Sequence, residues 1–291
     1  MVCLTRLRRR SVVRRMVASA ALAAACWLMA IYGLRQPSND RDWEFGFERV
    51  PSVAIADDIL TIRNVRDYRI DSDGSVRPHF VDRSFRRDAV ERAWFLVEPF
   101  SALPITGYQG IAHTYFVFGI SGEPPIAVSV EARRERSERF DLGLGLISQY
   151  ELMYIWAGEE DVTVKRVMDQ HNEVFMYPLF VPRETVVELV TQLATTTAAL
   201  EHQPRFYNSL TGNCTSELAR AANAIRPGAI PLHVGWWMPG LAVDQLYDLG
   251  YIPHDRPLPE IRQRYRVTEI VRQIHGQLDF SERLRDYLRD Q

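Results

Sequence analysis

Apolar and polar positions alternate most clearly near the middle of the chain. Ile126-Ala127-Val128-Ser129-Val130-Glu131-Ala132-Arg133 has period two, which predicts a strand with Ala127, Ser129 and Glu131 on one face. The preceding run, Ile111 to Ile120, is strongly apolar and carries His113 near its start; a hairpin-like turn over Ser121 to Pro125 separates the two. Strand signals also cover Ile59 to Ile70, Val90 to Phe100 (broken by Pro99 and Pro104) and Val174 to Val181. A further strand is read between Glu159 and Asp169, from Asp161-Val162-Thr163-Val164-Lys165-Arg166-Val167. Three- and four-residue spacing marks a helix over Arg183 to Glu201, with Pro182 at its start. A second helix begins between Gly212 and Thr215, runs on Leu218, Ala221, Ala222 and Ile225, and stops at Pro227-Gly228. Leu142 to Trp156 and Leu241 to Leu249 read as short helices, and Glu260 to Arg289 as a charged tail that is helical in pieces. Asp71 to Gly74 is a turn, Gly107 to Gly110 a loop, Arg77 to Arg87 charged surface and Gln36 to Arg41 a polar linker.

The amino terminus breaks this pattern. Six arginines between Arg6 and Arg15 precede an apolar run from Met16 through Leu34, closed by Arg35. At 1.5 Å per residue these roughly 19 residues match a bilayer span. The basic flank belongs in the cytoplasm, which puts the rest of the chain outside it. A cleaved signal peptide is the competing reading, but Trp27-Leu28-Met29-Ala30-Ile31-Tyr32 is bulky where a cleavage site needs small residues. A buried core helix fits the arginine cluster poorly. The expected layout is a basic flank and anchor over 1–36, a periplasmic domain over 42–256 and a helical extension over 257–291, attached to a bacterial inner membrane.

Composition narrows the chemistry. The chain has 291 residues, 46% hydrophobic and 25% charged, with net charge −2. Such a balance gives no reason to expect nucleic acid. There is no nucleotide-type glycine loop and no metal-ligand spacing, so neither a cofactor nor a metal is expected. Cys3 and Cys26 fall at or inside the apolar segment, leaving Cys214 alone in the remainder. Cys214 sits at the start of a helix, where free N–H groups and the dipole favour a thiolate and can hold an oxyanion. A lone cysteine beside an alanine-rich helix is more often core, so the assignment depends on partners. A thiol nucleophile needs a base and a group to orient it. His113 and Glu131, on adjacent apolar strands, are the candidates. The amides of Asn208 and Asn213 are candidate oxyanion donors, although asparagine is also common in turns and caps.

Several separate motifs occur in order: Arg63-Asn64-Val65-Arg66-Asp67-Tyr68, Ile111-Ala112-His113-Thr114, Val128 to Glu135, Gln149-Tyr150-Glu151-Leu152 and Phe206 to Thr215. Together, over about residues 57 to 225, they resemble the Lnb amino-terminal periplasmic domain family. The resemblance implies an α+β fold similar to circularly permuted papain-like or NlpC/P60-like thiol enzymes. In that fold an antiparallel sheet packs on the nucleophile helix, and here one transmembrane helix precedes it. It places the nucleophile at Cys214 and the base at His113. It implies lipoprotein N-acylation, in which a cysteine takes an acyl chain from a phospholipid and passes it to the terminal amine of a lipoprotein. The expected partners are a phospholipid donor, a lipoprotein acceptor and the bilayer. Two alternatives stand beside it: a thiol hydrolase of envelope peptide, amide or ester bonds, and a non-catalytic envelope module.

Overall fold

The alternating segments assemble into one twisted sheet with a core on each side. A computed structural model describes residues 14–27, 33, 35–70, 76–100 and 110–290. The basic run before residue 14, the turn at 71–74, the loop at 107–109 and the far end of the apolar amino-terminal run lie outside the described residues. Eight of the described strands form the main sheet. They are β1 (Ser52–Ala56), β2 (Ile59–Arg66), β5 (Phe80–Arg86), β6 (Val90–Pro99), β7 (Ala112–Ile120), β8 (Glu123–Arg133), β9 (Glu151–Gly158) and β10 (Phe175–Pro178). The order is β1-β2-β9-β8-β7-β6-β10, with β5 also on β2; β3 (Arg69–Ile70) and β4 (Val76–Arg77) form a separate ribbon. Neighbours run antiparallel except β2 and β9, which meet in parallel at Arg66 and Ala157. The fold is therefore mixed α+β with a largely antiparallel sheet, as expected.

Alternation sorts the side chains onto two faces. One face buries Phe95, Phe116, Val128 and Trp156 beneath α4 (Arg183–His202) and α5 (Cys214–Ile225). The other buries Trp94, Tyr115, Val117 and Ile155. It is covered by α3 (Glu159–Val164), a π turn (Lys165–Asp169), and carboxy-terminal helices that contribute Val271 from α8 (Thr268–Ile274) and Leu284 from α9 (Phe280–Arg289). The tail thus belongs to the second core, and Arg285 in α9 pairs with buried Glu159 at 2.7 Å.

Three segments differ from the sequence reading. Leu142 to Trp156 is a five-residue helix, α2 (Leu142–Leu146), followed by strand β9. Every β9 residue but the last is buried, because β9 lies inside the sheet with both faces covered, so no alternation marks it. Glu159 to Asp169 is helical. Glu159, Glu160 and Asp161 occupy the positive end of α3, and Asp161 is held by buried Arg66 at 2.7 Å. These tertiary and terminal charges override the strand preference of Val162, Thr163 and Val164. The Gln36–Arg41 linker is docked: Asn39 donates to the carbonyls of Leu200 and Glu201, and Arg41 pairs with buried Glu151 at 2.9 Å.

Residues 14–27 form an exposed helix, α1, bearing Met16, Leu22 and Trp27. No helix of the described residues is long and apolar enough to cross a membrane. The expected anchor extends beyond them.

Candidate active site

The helix of the candidate nucleophile, α5, begins where the sequence places it, at Cys214, and its start is tightly built. Asn213 is the N-cap: its side-chain oxygen accepts from the Ser216 N–H at 2.8 Å, and the Ser216 hydroxyl accepts from the Asn213 N–H at 2.9 Å. This reciprocal capping box fixes the first turn. Among the described residues, the N–H groups of Cys214 and Thr215 have no acceptor. They form the positive helix end that a developing oxyanion requires.

The strand pair supplies the rest. His113 lies on β7 between Glu98 on β6, its register partner, and β8, where Ser129 and Glu131 share its face. His113 Nε2 is 2.7 Å from the Ser129 hydroxyl, which donates to Glu131 Oε1 at 2.6 Å. A hydroxyl has one proton. Since Ser129 gives that proton to the carboxylate, it must accept from His113. This fixes the proton on Nε2 and leaves Nδ1 for the thiol. Glu131 itself is 3.3 Å from Nε2, so the orienting contact runs chiefly through Ser129.

Arg166, from the π turn, closes the base of the site. Its guanidinium reaches Glu98 at 2.7 Å and Glu131 at 2.9 Å, and donates to the Ser129 hydroxyl at 3.2 Å. It also lies over the Tyr115 ring, 4.6 Å from the centroid. Asn172 holds the other Glu98 oxygen at 2.7 Å. Ser129 and Arg166 are absent from the sequence-based candidates. Ser129 carries a signal, sharing the alternating face with Glu131. Arg166 carries none, because its partners lie on other strands.

Charge follows this geometry. Burial raises the Cys214 thiol, but the His113 charge and hydrogen bond, with the hydroxyl and amide of Thr114, bring it below its ordinary value. Burial lowers His113; Glu131 and the Cys214 thiolate outweigh it, against opposition from Arg166, and push it up to about 10. Glu131, despite burial, is held well below the usual carboxylate range by His113, Arg166 and Ser129. The two shifts run in the same direction: each favours the charged pair of thiolate and imidazolium over the neutral one. The thiol's other contacts are long, 3.9 Å to the Thr215 hydroxyl and 4.0 Å to the Ala112 carbonyl, which leaves its lone pairs available.

Asn208 and Asn213 take other roles than the oxyanion donors expected. The Asn213 amide donates to the carbonyls of Ser209 and Trp236, at 2.9 and 2.8 Å, while its oxygen caps α5. The Asn208 oxygen accepts from the amides of Leu210 and Thr211, and its nitrogen donates to the Leu146 carbonyl at 3.1 Å. Ser209 also grips α2, donating to the Leu142 carbonyl at 2.9 Å. Gly145 allows this approach, since a Cβ there would meet the Ser209 hydroxyl. The two asparagines therefore shape the turn and bind it to α2.

Cys214 and His113 open into a cleft of about 470 Å³. Phe140, Leu142, Tyr207 and Trp237 line its apolar side. Phe140 and Leu142 on this wall are exposed, and Leu144, Leu146 and Ile147, further along α2 and its end, are exposed too, so α2 carries an apolar surface that begins at the cleft.

The chain is thus a mixed α+β protein with a thiol at a helix start and a carboxylate-backed imidazole on the adjacent strands. The family model described as "Lnb N-terminal periplasmic domain" matches residues 77–237, more than half of the chain. The chain belongs to this family, which makes it a periplasmic envelope protein. Neither the curated proteins nor the solved structures contain a match to it. The motifs that carry the family resemblance divide in two. Arg66, Arg133 and Glu151 tie α3 and the docked amino-terminal segment to the sheet, whereas His113, Ser129, Glu131 and Cys214 meet at the cleft.

Proposed function

We propose that this protein is a membrane-anchored periplasmic cysteine acyltransferase, moving an acyl chain from a phospholipid to the terminal amine of a lipoprotein through a Cys214 thioester. The observation that carries the reading is the apolar surface on α2, bound by Asn208 and Ser209 to the loop that presents the thiol. A thiol site beside exposed leucines suits a lipid ester at a membrane surface better than a soluble peptide. The order of histidine strand before nucleophile helix supports a circularly permuted papain-like fold. The arginine-flanked apolar run at the amino terminus supports the anchor.

The reaction is ping-pong. The Cys214 thiolate attacks the ester carbonyl, and the Cys214 and Thr215 N–H groups hold the oxyanion. The carbon–oxygen bond to the leaving alcohol breaks, and His113 gives that alcohol its proton. The acceptor amine then attacks the thioester, its proton passes to His113, and the thiolate leaves. Water in place of the amine gives a hydrolase. The polar wall of the cleft, with Glu44, Arg134 and Glu138, favours this second reading for a peptide substrate.

Intact-protein mass spectrometry of the membrane-expressed chain tests the proposal. A fatty-acyl increment at Cys214, released by hydroxylamine and absent from Cys214→Ala, is expected. An unmodified Cys214 that also resists a small thiol reagent in the folded protein would overturn it.

A further inference from the structure

The cleft wall is electrostatically unbalanced. Each carboxylate among its described lining residues already has a partner. Glu44 pairs with Arg134 at 2.7 Å, Glu98 and Glu131 share Arg166, and Glu138 accepts from Gln149 and the Glu135 N–H. Arg66, another lining cation, is engaged by Asp161. Two cations of the wall are left over. The side chains of Lys165 and Arg139 make no hydrogen bond and no ion pair among the described residues, yet both line the cleft. Lys165 is half-buried, on the π turn one residue before Arg166, and it also lines a second cavity of about 400 Å³ together with Glu160, Asp161 and Asp169. Burial and repulsion from Arg66 and Arg166 lower its pKa, against weaker attraction from Asp161 and Glu131. A half-buried ammonium beside two guanidinium groups, with no carboxylate in direct contact, is costly, and an anion brought by a ligand offsets that cost.

We infer that Lys165, with Arg139, forms an anion-binding subsite of the thiol cleft, which receives a phosphate-type group of the molecule whose carbonyl meets Cys214. This rests on the thiol reading above. It adds that the substrate is anionic near its reacting end, and that the site selects it by charge as well as by the apolar surface.

Alkylation of Cys214 in the full chain tests this separately from the reaction. Iodoacetate and iodoacetamide both require the thiolate, but only iodoacetate is an anion, so the ratio of their rates cancels changes in thiolate population. The ratio is expected to fall about fivefold in Lys165→Met, from the loss of one nearby charge at intermediate dielectric, and to recover in Lys165→Arg. Exposed Arg139→Met, which does not threaten the core, is expected to lower it too. Added separately as protectants, inorganic phosphate and a soluble short-chain phosphatidylglycerol distinguish the sources. Protection by phosphate assigns a free-anion site, and protection by the lipid alone assigns a headgroup site. A ratio unchanged in both variants, with neither protectant effective, overturns the subsite. Failure of both reagents to alkylate Cys214 overturns the thiol reading instead.

Discussion

Ser129 stands between His113 and Glu131, accepting from the imidazole at 2.7 Å and donating to the carboxylate at 2.6 Å. A serine in this position sets the imidazole tautomer without carrying charge. It also lets Arg166 share the same oxygen at 3.2 Å, so that base, carboxylate and guanidinium meet at one hydroxyl.

Replacing Ser129 by Ala removes that junction and leaves His113 facing Glu131 across 3.3 Å. Loss of one buried, charge-linked hydrogen bond corresponds to about 1.5 kcal/mol, or about tenfold in rate. Cys214 alkylation near neutral pH is expected to slow by that factor in Ser129→Ala and to recover in Ser129→Thr, which keeps the hydroxyl. Equal rates in all three proteins would mean that Glu131 orients His113 unaided.

The thiolate depends on His113, and the pH profile should show it. In the wild-type protein the acid limb of alkylation lies below the ordinary thiol value of 9.0. In His113→Asn the imidazolium is gone and burial acts against the thiolate, so the limb moves up. Alkylation at pH 7 then falls about tenfold or more. Stability carries the matching sign. A raised His113 pKa stabilises the fold fully below its ordinary 6.5, and that contribution is lost as pH rises through about 10. Urea unfolding between these limits should show a loss in the wild type that His113→Asn lacks.

How far the sequence reached depended on whether a signal was local. β7 and β8 were legible because their alternation and turn lie within one hairpin, and Cys214 because its cap and helix are contiguous. β9 was not, since a strand buried on both faces has no period to read. α3 was misread because Asp161 finds Arg66 on a distant strand, and this pairing outweighs local β-branched residues. Arg166 was invisible for the same reason: Glu131 is 35 positions away. Asn208 and Asn213 stood out as polar groups near the thiol, but chain proximity could not show that their amides were already engaged.

Arg166 is the residue whose loss should damage the fold most. Arg166→Met would leave buried Glu98 and half-buried Glu131 without their shared cation. Breaking a buried pair from one side costs about 3–5 kcal/mol. Urea denaturation should show a drop of that order, whereas Arg262→Met, at a half-exposed pair with Asp244, should change little. Similar midpoints for the two variants would show that water or neighbouring donors replace the guanidinium.

Asn213 separates capping from oxyanion binding. In Asn213→Asp the side chain still accepts from the Ser216 N–H, so the capping box survives. The donors to the Ser209 and Trp236 carbonyls are lost, and a negative charge arrives beside the thiol. If the amide serves the cap, thioester formation persists in Asn213→Asp, slowed several-fold by repulsion of the thiolate. Asn213→Ala loses the cap and about 1–2 kcal/mol of stability. An amide that held the oxyanion would give the reverse order: Asn213→Asp would abolish the adduct at Cys214 although the cap is kept. Intact mass and urea midpoints on the same two variants decide between these outcomes, because cap and oxyanion roles predict opposite rankings of activity against stability.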